Sequence, residues 1–433
     1  MACGRCGHRP PLAKLGRRAQ RDPIAPRPPA AALAAAAAAC RAARQSKRYL
    51  PVSADNLGGS RPQNTRRSQQ PAGPAPADPL LGIMTIASLA RVACLAPMIA
   101  SLCSCPTWAA ERAALQAACW QPSTLRWNPG EELVVHSSRY QRIPDIRGFL
   151  GERSGPPAAT GTVRRVQLPP GKKLIALTFD LCETSGETAG YDGSIVDYLR
   201  QQQIKATFFA GGHWLVSHKP RSQQLLSDPL FEIGTHGWAH RNTRLLRGPD
   251  LQKEILGPSA AYAAIRSELS EAQCAVPMRS AFSSIPERPR LFRFPFGACN
   301  TESLAAVADA GLIAIQWDVA TGDPSPHQSA RAIAEAMIRG ARPGSIIVSH
   351  ANGRGYHTAA ALPLAIPALR AKGFEFVTVS ELLAAGKPVV ADSCYDAHPG
   401  DTDRYDFLQG HPSAASLPWE PTTHVRTGIP VQP

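Results

Sequence analysis

The side chains that could do chemistry in this sequence fall in a few short motifs between apolar stretches. In THGWAH, His236 and His240 are spaced i,i+4, so on one helical turn their rings would share a face. Two imidazole nitrogens arranged in this way can bind one metal ion at roughly 2.0 to 2.1 Å. The spacing alone is a weak signal, and a carboxylate from a neighbouring strand end would strengthen it. These histidines are therefore candidate metal ligands.

Ionisable side chains follow most of the other apolar stretches as well. Since the reacting groups of parallel α/β barrels lie at the carboxyl ends of the strands, we expect these side chains to meet at one rim. An arginine beside a carboxylate favours its charged form, so we expect Arg293 to orient Asp180 and keep it ionised. The residues expected at this rim are Asp180, Cys182, Glu183, His236, His240, Arg293, Asp318, Asp323 and His350.

The stretches between the motifs predict the elements that position them. Short apolar and β-branched runs alternate with helical runs from residue 171 onward, which predicts an α/β fold with a parallel sheet. One strand is missing from the regular eight-stranded arrangement, so we expect a distorted (β/α)7 barrel. The expected strands are 173–179, 206–210, 232–235, 291–294, 312–317, 345–349 and 374–379, and the expected helices are 194–203, 218–227, 251–269, 301–310, 329–339 and 358–371.

The rest of the chain differs from this region in composition. Residues 1–83 are rich in Arg, Pro and Ala and are expected to be disordered or not natively translated. Residues 84–109 have the pattern of a secretory signal peptide, with an apolar run shorter than the ~20 residues of a membrane span. We therefore expect translation to start at Met84 and the protein to be exported, periplasmic or extracellular. Residues 110–170 are expected to form an extended approach segment, and 386–433 a wrapping or loose C-terminal tail.

The charge distribution argues against a nucleic-acid partner. The formal net charge is +14, but the first 83 residues hold 14 Lys and Arg against three Asp and therefore carry +11 of it. The remaining +3 is too small for a polyanion-binding surface. No stable membrane span is expected beyond the signal segment, and the sequence leaves the oligomeric state open.

Five cysteines, an odd number, follow the signal segment. In the oxidising compartment that export implies, at least one of them must remain a free thiol or form an intermolecular bridge. The sequence does not determine their pairing. They are Cys119, Cys182, Cys274, Cys299 and Cys394.

Five motifs, in this order, resemble those of the NodB-type polysaccharide deacetylase family, carbohydrate esterase family 4. The resemblance covers residues 171–385 and rests on LTFD, THGWAH, RFPFG, WDVATGD and IIVSH. It implies a metal-dependent enzyme that hydrolyses N-acetyl groups of an N-acetylglucosamine-containing glycan, such as peptidoglycan or an exopolysaccharide. In that family two histidines and an aspartate hold a divalent ion, usually zinc.

The resemblance also implies roles for single residues. Asp180 takes the position of the general base, and His350 that of the acid that protonates the leaving amine. Asp323 takes the position of the carboxylate that orients the catalytic histidine, with Asp318 as the alternative. A base and an acid each contribute roughly 10²- to 10⁴-fold to a hydrolysis.

The first motif departs from the family pattern at the metal ligand. The family has a second aspartate after the base, whereas this chain has Leu181, which cannot bind a cation. We favour Glu183 as the replacement. Cys182 is an alternative because a thiolate binds zinc well, and a third possibility is that nothing replaces the lost ligand. In that last case the chain would be a glycan-binding relative with weakened or no catalysis.

Other positions bear on the substrate. Trp317 and Phe296 are expected to form an apolar wall for an acetyl methyl group, and Pro295 is a further candidate for substrate binding. Gly237 and Pro324 replace residues common in the family, as does Val348, so substrate preference could differ. An O-acetyl ester or a small amide is the alternative substrate class for the same metal site.

Overall fold

The computed structural model describes residues 108–139, 141–150 and 161–408. The predictions for residues 1–83, for the signal segment up to residue 107 and for the tail after residue 408 lie outside these residues. None of the helices in the described ranges is long and apolar enough to cross a membrane.

The described strands and helices alternate through most of the chain. The strands are β1 (Val135–His136), β2 (Thr162–Gln167), β3 (Leu174–Leu181), β4 (Glu187–Thr188), β5 (Ala206–Ala210), β6 (Phe231–Thr235), β7 (Leu291–Phe292), β8 (Ile313–Ala314), β9 (Val319–Ala320), β10 (Ile346–His350), β11 (Glu375–Phe376) and β12 (Lys387–Ala391). The α-helices are α1 (Trp108–Cys119), α2 (Pro122–Leu125), α3 (Gly193–Gln201), α4 (Gly212–Ser217), α5 (Lys219–Ser227), α6 (Gly248–Glu271), α7 (Thr301–Asp309), α8 (Ala330–Gly340), α9 (Thr358–Ala371) and α10 (Val379–Ala384). Short 3₁₀ helices occupy Arg147–Phe149, Thr243–Leu245, Val276–Ser283, Pro295–Gly297 and Asp403–Leu408.

The largest sheet of the described residues has eight parallel strands and confirms the distorted (β/α) barrel. Its order is β8-β7-β6-β5-β3-β10-β9, and β11 pairs with the start of β3. The strands of the first half are neighbours in the order of the chain, as a barrel requires, and β10 returns to lie beside β3. Strands β2 and β12 form a separate antiparallel pair. This pair contacts the barrel strands through the isolated bridges Val163–Ile315 and Arg165–Ser345.

Several predicted boundaries are wrong. The expected strand 312–317 is interrupted after β8, and the expected strand 374–379 ends at Phe376 because Thr378 caps α10 with a capping box. The segment 110–170 is not simply extended, since it contains α1 and β2. In the C-terminal region, β12 pairs with β2, so the described part of the tail wraps around the barrel.

Side chains on β3 alternate between the two faces of the sheet, as the strand period of two requires. One set packs in the large apolar core shared with the helices, and the other points into the barrel, where Thr178 and Asp180 meet Arg293. Leu181 therefore belongs to the helix-facing set and is fully buried there. The helix-facing residues of β3 are Ile175, Leu177, Phe179 and Leu181.

Two disulfides link the ends of the described chain to the barrel. Cys119 at the end of α1 pairs with Cys274, and Cys299 pairs with Cys394 after β12. Cys182 is the one free thiol among the described cysteines, and it is buried. The odd cysteine expected from the sequence is therefore a thiol at the end of β3.

Candidate active site

A buried ion pair lies at the carboxyl end of β3. Oδ1 of Asp180 accepts a hydrogen bond from Nη1 of Arg293 at 2.7 Å, and the same nitrogen donates to Oγ1 of Thr178 at 2.8 Å. The Arg293 side chain is completely buried, and its guanidinium lies 4.0 Å from the ring centroid of Phe209. Asp180 therefore has the charged neighbour that the sequence predicts for it.

His236 and His240 lie in the loop after β6, and the prediction of a helical turn is wrong. Gly237 has φ +73° and His240 has φ +53°, so the backbone turns through the left-handed region. The loop nevertheless brings the two ring centroids to 5.0 Å. Nδ1 of His236 lies 2.9 Å from the carbonyl oxygen of Arg293. If Nδ1 donates to this oxygen, Nε2 is left as the nitrogen that can bind a metal.

Two features hold this loop in its shape. A Cβ atom at Gly237 would lie 2.6 Å from Oε1 of Glu254 and 2.9 Å from Cγ of Pro295, so glycine is required where the family has a larger residue. Glu254, on α6, accepts hydrogen bonds from the backbone N–H groups of Ala239 at 3.1 Å and Arg241 at 2.9 Å. Burial raises the pKa of Glu254 to about 7.

Cys182 completes a group of metal-binding side chains. One ligand atom each from Cys182, His236 and His240 lie within 4.8 Å of one another. Alternation along β3 explains this placement, because residue 182 continues the barrel-facing set of Asp180. A thiolate and two imidazoles form a donor set suited to zinc. The residues present therefore fit a metal ion.

The charges around the thiol favour its ligand form. Burial alone would raise the pKa of Cys182, but His240 and His236 outweigh it and hold that pKa well below its usual range. Burial would lower the pKa of His236, but Asp180 and Cys182 outweigh it and raise that pKa. Because the thiolate is the form of cysteine that binds metals, this environment is suited to a ligand.

Glu183 lies outside this group, contrary to the preference drawn from the sequence. Its Oε2 accepts hydrogen bonds from Ala189 N at 3.0 Å and from Ser217 Oγ at 2.7 Å, and it lies 3.8 Å from Nδ1 of His218. Burial raises the pKa of Glu183 to about 7. Residue 183 falls on the same side of the chain as Leu181, which directs its carboxylate toward α4 and away from the histidine pair.

A second cluster surrounds His350 at the end of β10. Nδ1 of His350 lies 3.0 Å from Oδ1 of Asp323, and the backbone N–H of His350 donates to Oδ2 at 2.7 Å. Thr321 and Thr358 donate to the same carboxylate at 3.1 and 2.6 Å. Burial would lower the pKa of His350, but Asp323 and then Cys182 outweigh it and hold that pKa well above its usual value. Asp323 thus orients the ring and favours its protonated form.

The two clusters meet through the sheet. His350 and Asp180 are direct partners in the parallel register of β10 and β3. Asn352, which follows β10, donates from Nδ2 to the backbone oxygen of Cys182 at 2.8 Å. The side chains therefore share one rim, as the barrel pattern predicts.

Two predicted site residues have other contacts. Asp318 accepts hydrogen bonds from Ile346 N at 2.9 Å and Ser345 Oγ at 3.1 Å, at the opposite end of β10 from His350. The prediction of Asp318 as the alternative partner of His350 is therefore wrong. Trp317 is 7% exposed, and its Nε1 donates to Oδ1 of Asp396 at 3.0 Å. Its ring is nearly buried, and its part in the apolar wall for the acetyl group stays a prediction.

Pro295 and Phe296 lie beside the histidine loop. Pro295 is buried against Gly237. Phe296 is partly exposed, has φ +60°, and its ring centroid is 4.4 Å from that of His240. A left-handed conformation costs a residue with a side chain about 1–2 kcal/mol. Such strain collects at functional sites, where the surrounding structure holds it in place.

Four polar residues support the site although the sequence alone does not identify them as site residues. They hold the loop of His240, the carboxylate of Asp323 or the backbone of Cys182. Only the hydroxyl of Thr321, two residues before Asp323, lies close enough in the chain to have been suspected. These residues are Glu254, Thr321, Thr358 and Asn352.

A family model described as Polysaccharide deacetylase matches residues 167–315. Over these residues the chain is similar to the polysaccharide deacetylase family. The match includes Asp180, the histidine loop and Arg293, and it ends before His350. This family is the one that the five motifs resemble.

Curated relatives in the family share between a quarter and a third of their residues with this chain. The peptidoglycan-N-acetylglucosamine deacetylase PgdA of Listeria monocytogenes is 28% identical over 243 residues, which is 56% of this chain and 45% of that protein. The chain thus spans about half the length of that relative. A peptidoglycan-N-acetylglucosamine deacetylase of Bacillus cereus is 28% identical over 226 residues, covering 50% of this chain and 91% of that protein.

A solved structure also matches this chain. The structure of BA3943, a CE4 family pseudoenzyme from Bacillus anthracis, is 21% identical with a TM-score of 0.43. The alignment covers 53% of this chain and 71% of that one.

Proposed function

We propose that this chain is a metal-dependent deacetylase that hydrolyses N-acetyl groups of an N-acetylglucosamine-containing glycan. The observation that carries the proposal is the pairing of Asp180 with His350 across β3 and β10, beside Cys182, His236 and His240. A proton acceptor, a proton donor and a metal-binding group are the parts that amide hydrolysis needs. Relatives that deacetylate peptidoglycan support the glycan as the substrate class.

We assign the metal to Cys182, His236 and His240. When bound there, a divalent ion would supply Lewis-acid chemistry, lowering the pKa of a water molecule and polarising the amide carbonyl. Zinc suits this set best, because thiolate and imidazole are ligands that it prefers. The hydrogen bond from His236 to the Arg293 carbonyl keeps the imidazole in the required orientation.

Asp180 acts as the general base. Its Oδ1 is held by Arg293, so Oδ2, which lies 3.6 Å from Nε2 of His236, is the oxygen that accepts the proton of the attacking water. The buried guanidinium is the charge partner that orients this carboxylate.

His350 acts as the general acid. Asp323 holds its Nδ1, so Nε2 is the atom that donates a proton to the leaving amine. The donation is needed because an unprotonated amide nitrogen does not leave. The Asp323 carboxylate also stabilises the protonated ring before the transfer.

Two disulfides among the described residues support an exported location, because such bonds persist in oxidising compartments. They agree with the signal pattern expected at residues 84–109. We therefore place the enzyme outside the cytoplasm, where a cell-wall or extracellular glycan is accessible.

Substitution with cobalt tests the ligand assignment together with the activity. The Co²⁺-loaded protein should show the near-ultraviolet charge-transfer band of a cobalt–thiolate bond and should release acetate from chitotetraose. Cys182→Asp should keep the metal and lose the band, since a carboxylate replaces the thiolate. Cys182→Ala should lower metal affinity.

Glu183→Gln is the matched control, because its carboxylate lies next to Cys182 but contacts Ser217 and Ala189. It should leave the band and the metal content unchanged. If Cys182→Ala keeps its metal while Glu183→Gln loses it, the ligand assignment is wrong. A metal-free wild-type protein that still cleaves acetamides in the presence of a chelator would contradict the proposed function itself.

A non-catalytic glycan-binding role is the alternative that Leu181 suggests, since the family's ligand is absent there. The placement of Cys182 favours the enzyme. Stoichiometric zinc binding that disappears in a His236→Ala, His240→Ala double variant, together with acetate release, would separate the two functions. Comparing chitotetraose with acetylated xylan would distinguish an amide from an ester substrate.

A further inference from the structure

The C-terminal strap, residues 392–407, follows β12 and lies along the rim that carries the active site. Its disulfide joins Cys394 to Cys299, two residues beyond the RFPFG motif. The side chain of Asp396 accepts a hydrogen bond from Trp317, which follows β8. These contacts tie the strap to the loops after two neighbouring strands of the sheet.

A third attachment reaches the loop after β6. Arg244 donates to Oδ1 of Asp406 at 2.7 Å and to Oδ1 of Asp403 at 2.6 Å. Asn242 also donates to Oδ1 of Asp406, at 2.9 Å. Asn242 is two residues beyond His240, so the strap is fixed directly beside the metal-binding loop.

The strap places one aromatic ring at the site. The ring centroid of Tyr405 is 5.3 Å from that of Phe296, at an interplanar angle of 33°. Phe296 in turn contacts His240. The two aromatic side chains are partly exposed, so they are not sealed in the core. Arg404 lies 4.7 Å from the centroid of the Tyr405 ring and donates to its hydroxyl at 2.9 Å, which helps to fix the ring.

The backbone of this region supports a role in binding. Among the described residues, three other than glycine have positive φ, and two of them, His240 and Phe296, are in ring contact. A strained backbone persists where its neighbours hold it. Here it positions the ring of Phe296 between His240 and Tyr405 of the strap.

We propose that Phe296 and Tyr405 form an aromatic wall of the glycan-binding groove, which contacts the sugar unit next to the one being deacetylated. A tyrosine has an apolar body with a polar tip, which suits a pyranose with its apolar C–H face and hydroxyl rim. The strap thereby makes the enzyme prefer an oligomer to a single sugar. The proposal rests on the proposed function for its substrate class, and its binding measurement is independent of turnover.

Tyr405→Ala tests the wall, with Tyr405→Phe as the conservative variant. Tyr405→Ala should raise KM for chitotetraose by roughly three- to tenfold, the size of one aromatic contact. Its kcat, and its kcat/KM for a small aryl acetate, should remain unchanged because the reacting groups are intact. Tyr405→Phe keeps the ring and loses only the hydroxyl, so it should raise KM less than Tyr405→Ala does.

Phe407→Ala is the matched control, since Phe407 lies on the same strap and is 84% exposed. It should leave KM unchanged, and equal effects of Phe407→Ala and Tyr405→Ala would overturn the wall. A lower KM in Tyr405→Ala would also overturn it, because the strap would then obstruct the groove.

Calorimetric titration with chitotetraose in an Asp180→Asn background measures binding without turnover. If the wild type releases no acetate but Tyr405→Ala weakens binding, the proposed function fails and the wall stands. If the wild type is active and Tyr405→Ala changes neither KM nor binding, the wall fails and the function stands. Absence of both turnover and binding of chitotetraose would overturn the two proposals together.

Discussion

The metal-binding cluster and the His350 cluster are built in different ways. Cys182 and the histidine pair sit on loops, and the backbone passes through left-handed conformations at Gly237 and His240. His350 ends a regular strand, and Asp323 receives several hydrogen bonds. A loop can exchange one ligand type for another with little change in the sheet. At the strand end, Asp323 holds both the ring and the backbone N–H of His350.

Of the two clusters, the metal-binding cluster should show the largest loss of activity when one residue is replaced. His236→Ala removes a ligand nitrogen, so the variant should lose stoichiometric zinc and fall to the activity of the chelator-treated protein on amides and esters alike. Metal content by mass spectrometry and acetate release measure both effects. His357→Ala is a suitable control because that histidine is exposed. Full metal content in His236→Ala would contradict the assigned ligand set.

Removing the proton donor should give a smaller and more selective loss. His350→Ala should keep its metal and lose about 10² to 10⁴ in kcat for an N-acetyl substrate. An activated aryl ester should lose much less, since a good leaving group needs no acid. Equal losses on both substrates would show that His350 has another role. The ratio of the two rates therefore tests whether the clusters act separately.

The loop also depends on a residue outside the metal group. Glu254→Ala removes the acceptor of two loop N–H groups and should weaken zinc affinity by roughly 10- to 100-fold, as losses of supporting contacts do. Glu254→Gln keeps one carbonyl oxygen and should lose less. Competitive titration with a zinc indicator measures both variants. An unchanged affinity in Glu254→Ala would mean that the loop holds its shape without this carboxylate.

The smallest expected effect is a change of pH dependence on the strand side. Asp323 raises the pKa of His350, and the acid acts only while protonated, so activity should fall as pH rises through that raised pKa. Asp323→Asn removes the charge, and the alkaline limb of the kcat profile should move to lower pH. The metal content should stay constant. A profile with an unmoved alkaline limb would assign that limb to another group.

The sequence predicts the site residues at the strand ends better than the shape of the histidine loop. Asp180, Arg293, His350 and Asp323 follow strands whose apolar runs are easy to recognise, and the parallel sheet brings them together. The histidine pair was placed on a helix because spacing alone does not reveal the left-handed turn at Gly237.

The strand period explains why Cys182, and not Glu183, lies beside the histidine pair. Residues 180 and 182 share a face, whereas 181 and 183 share the other, so alternation alone favoured the thiol. Glu254, on α6, and Asn352, after β10, could not be found, because their partners are distant in the chain and only the folded backbone brings them within hydrogen-bonding distance.

The bond between Cys299 and Cys394 fastens the strap to the residues after the RFPFG motif. The two cysteines are 95 positions apart, so the first is synthesised well before its partner. In a reducing cytoplasm the two cysteines would stay as thiols, and the strap would lack its covalent link to the barrel. If the enzyme is exported as proposed, the strap would become fixed beside the active site only after the chain reaches an oxidising compartment.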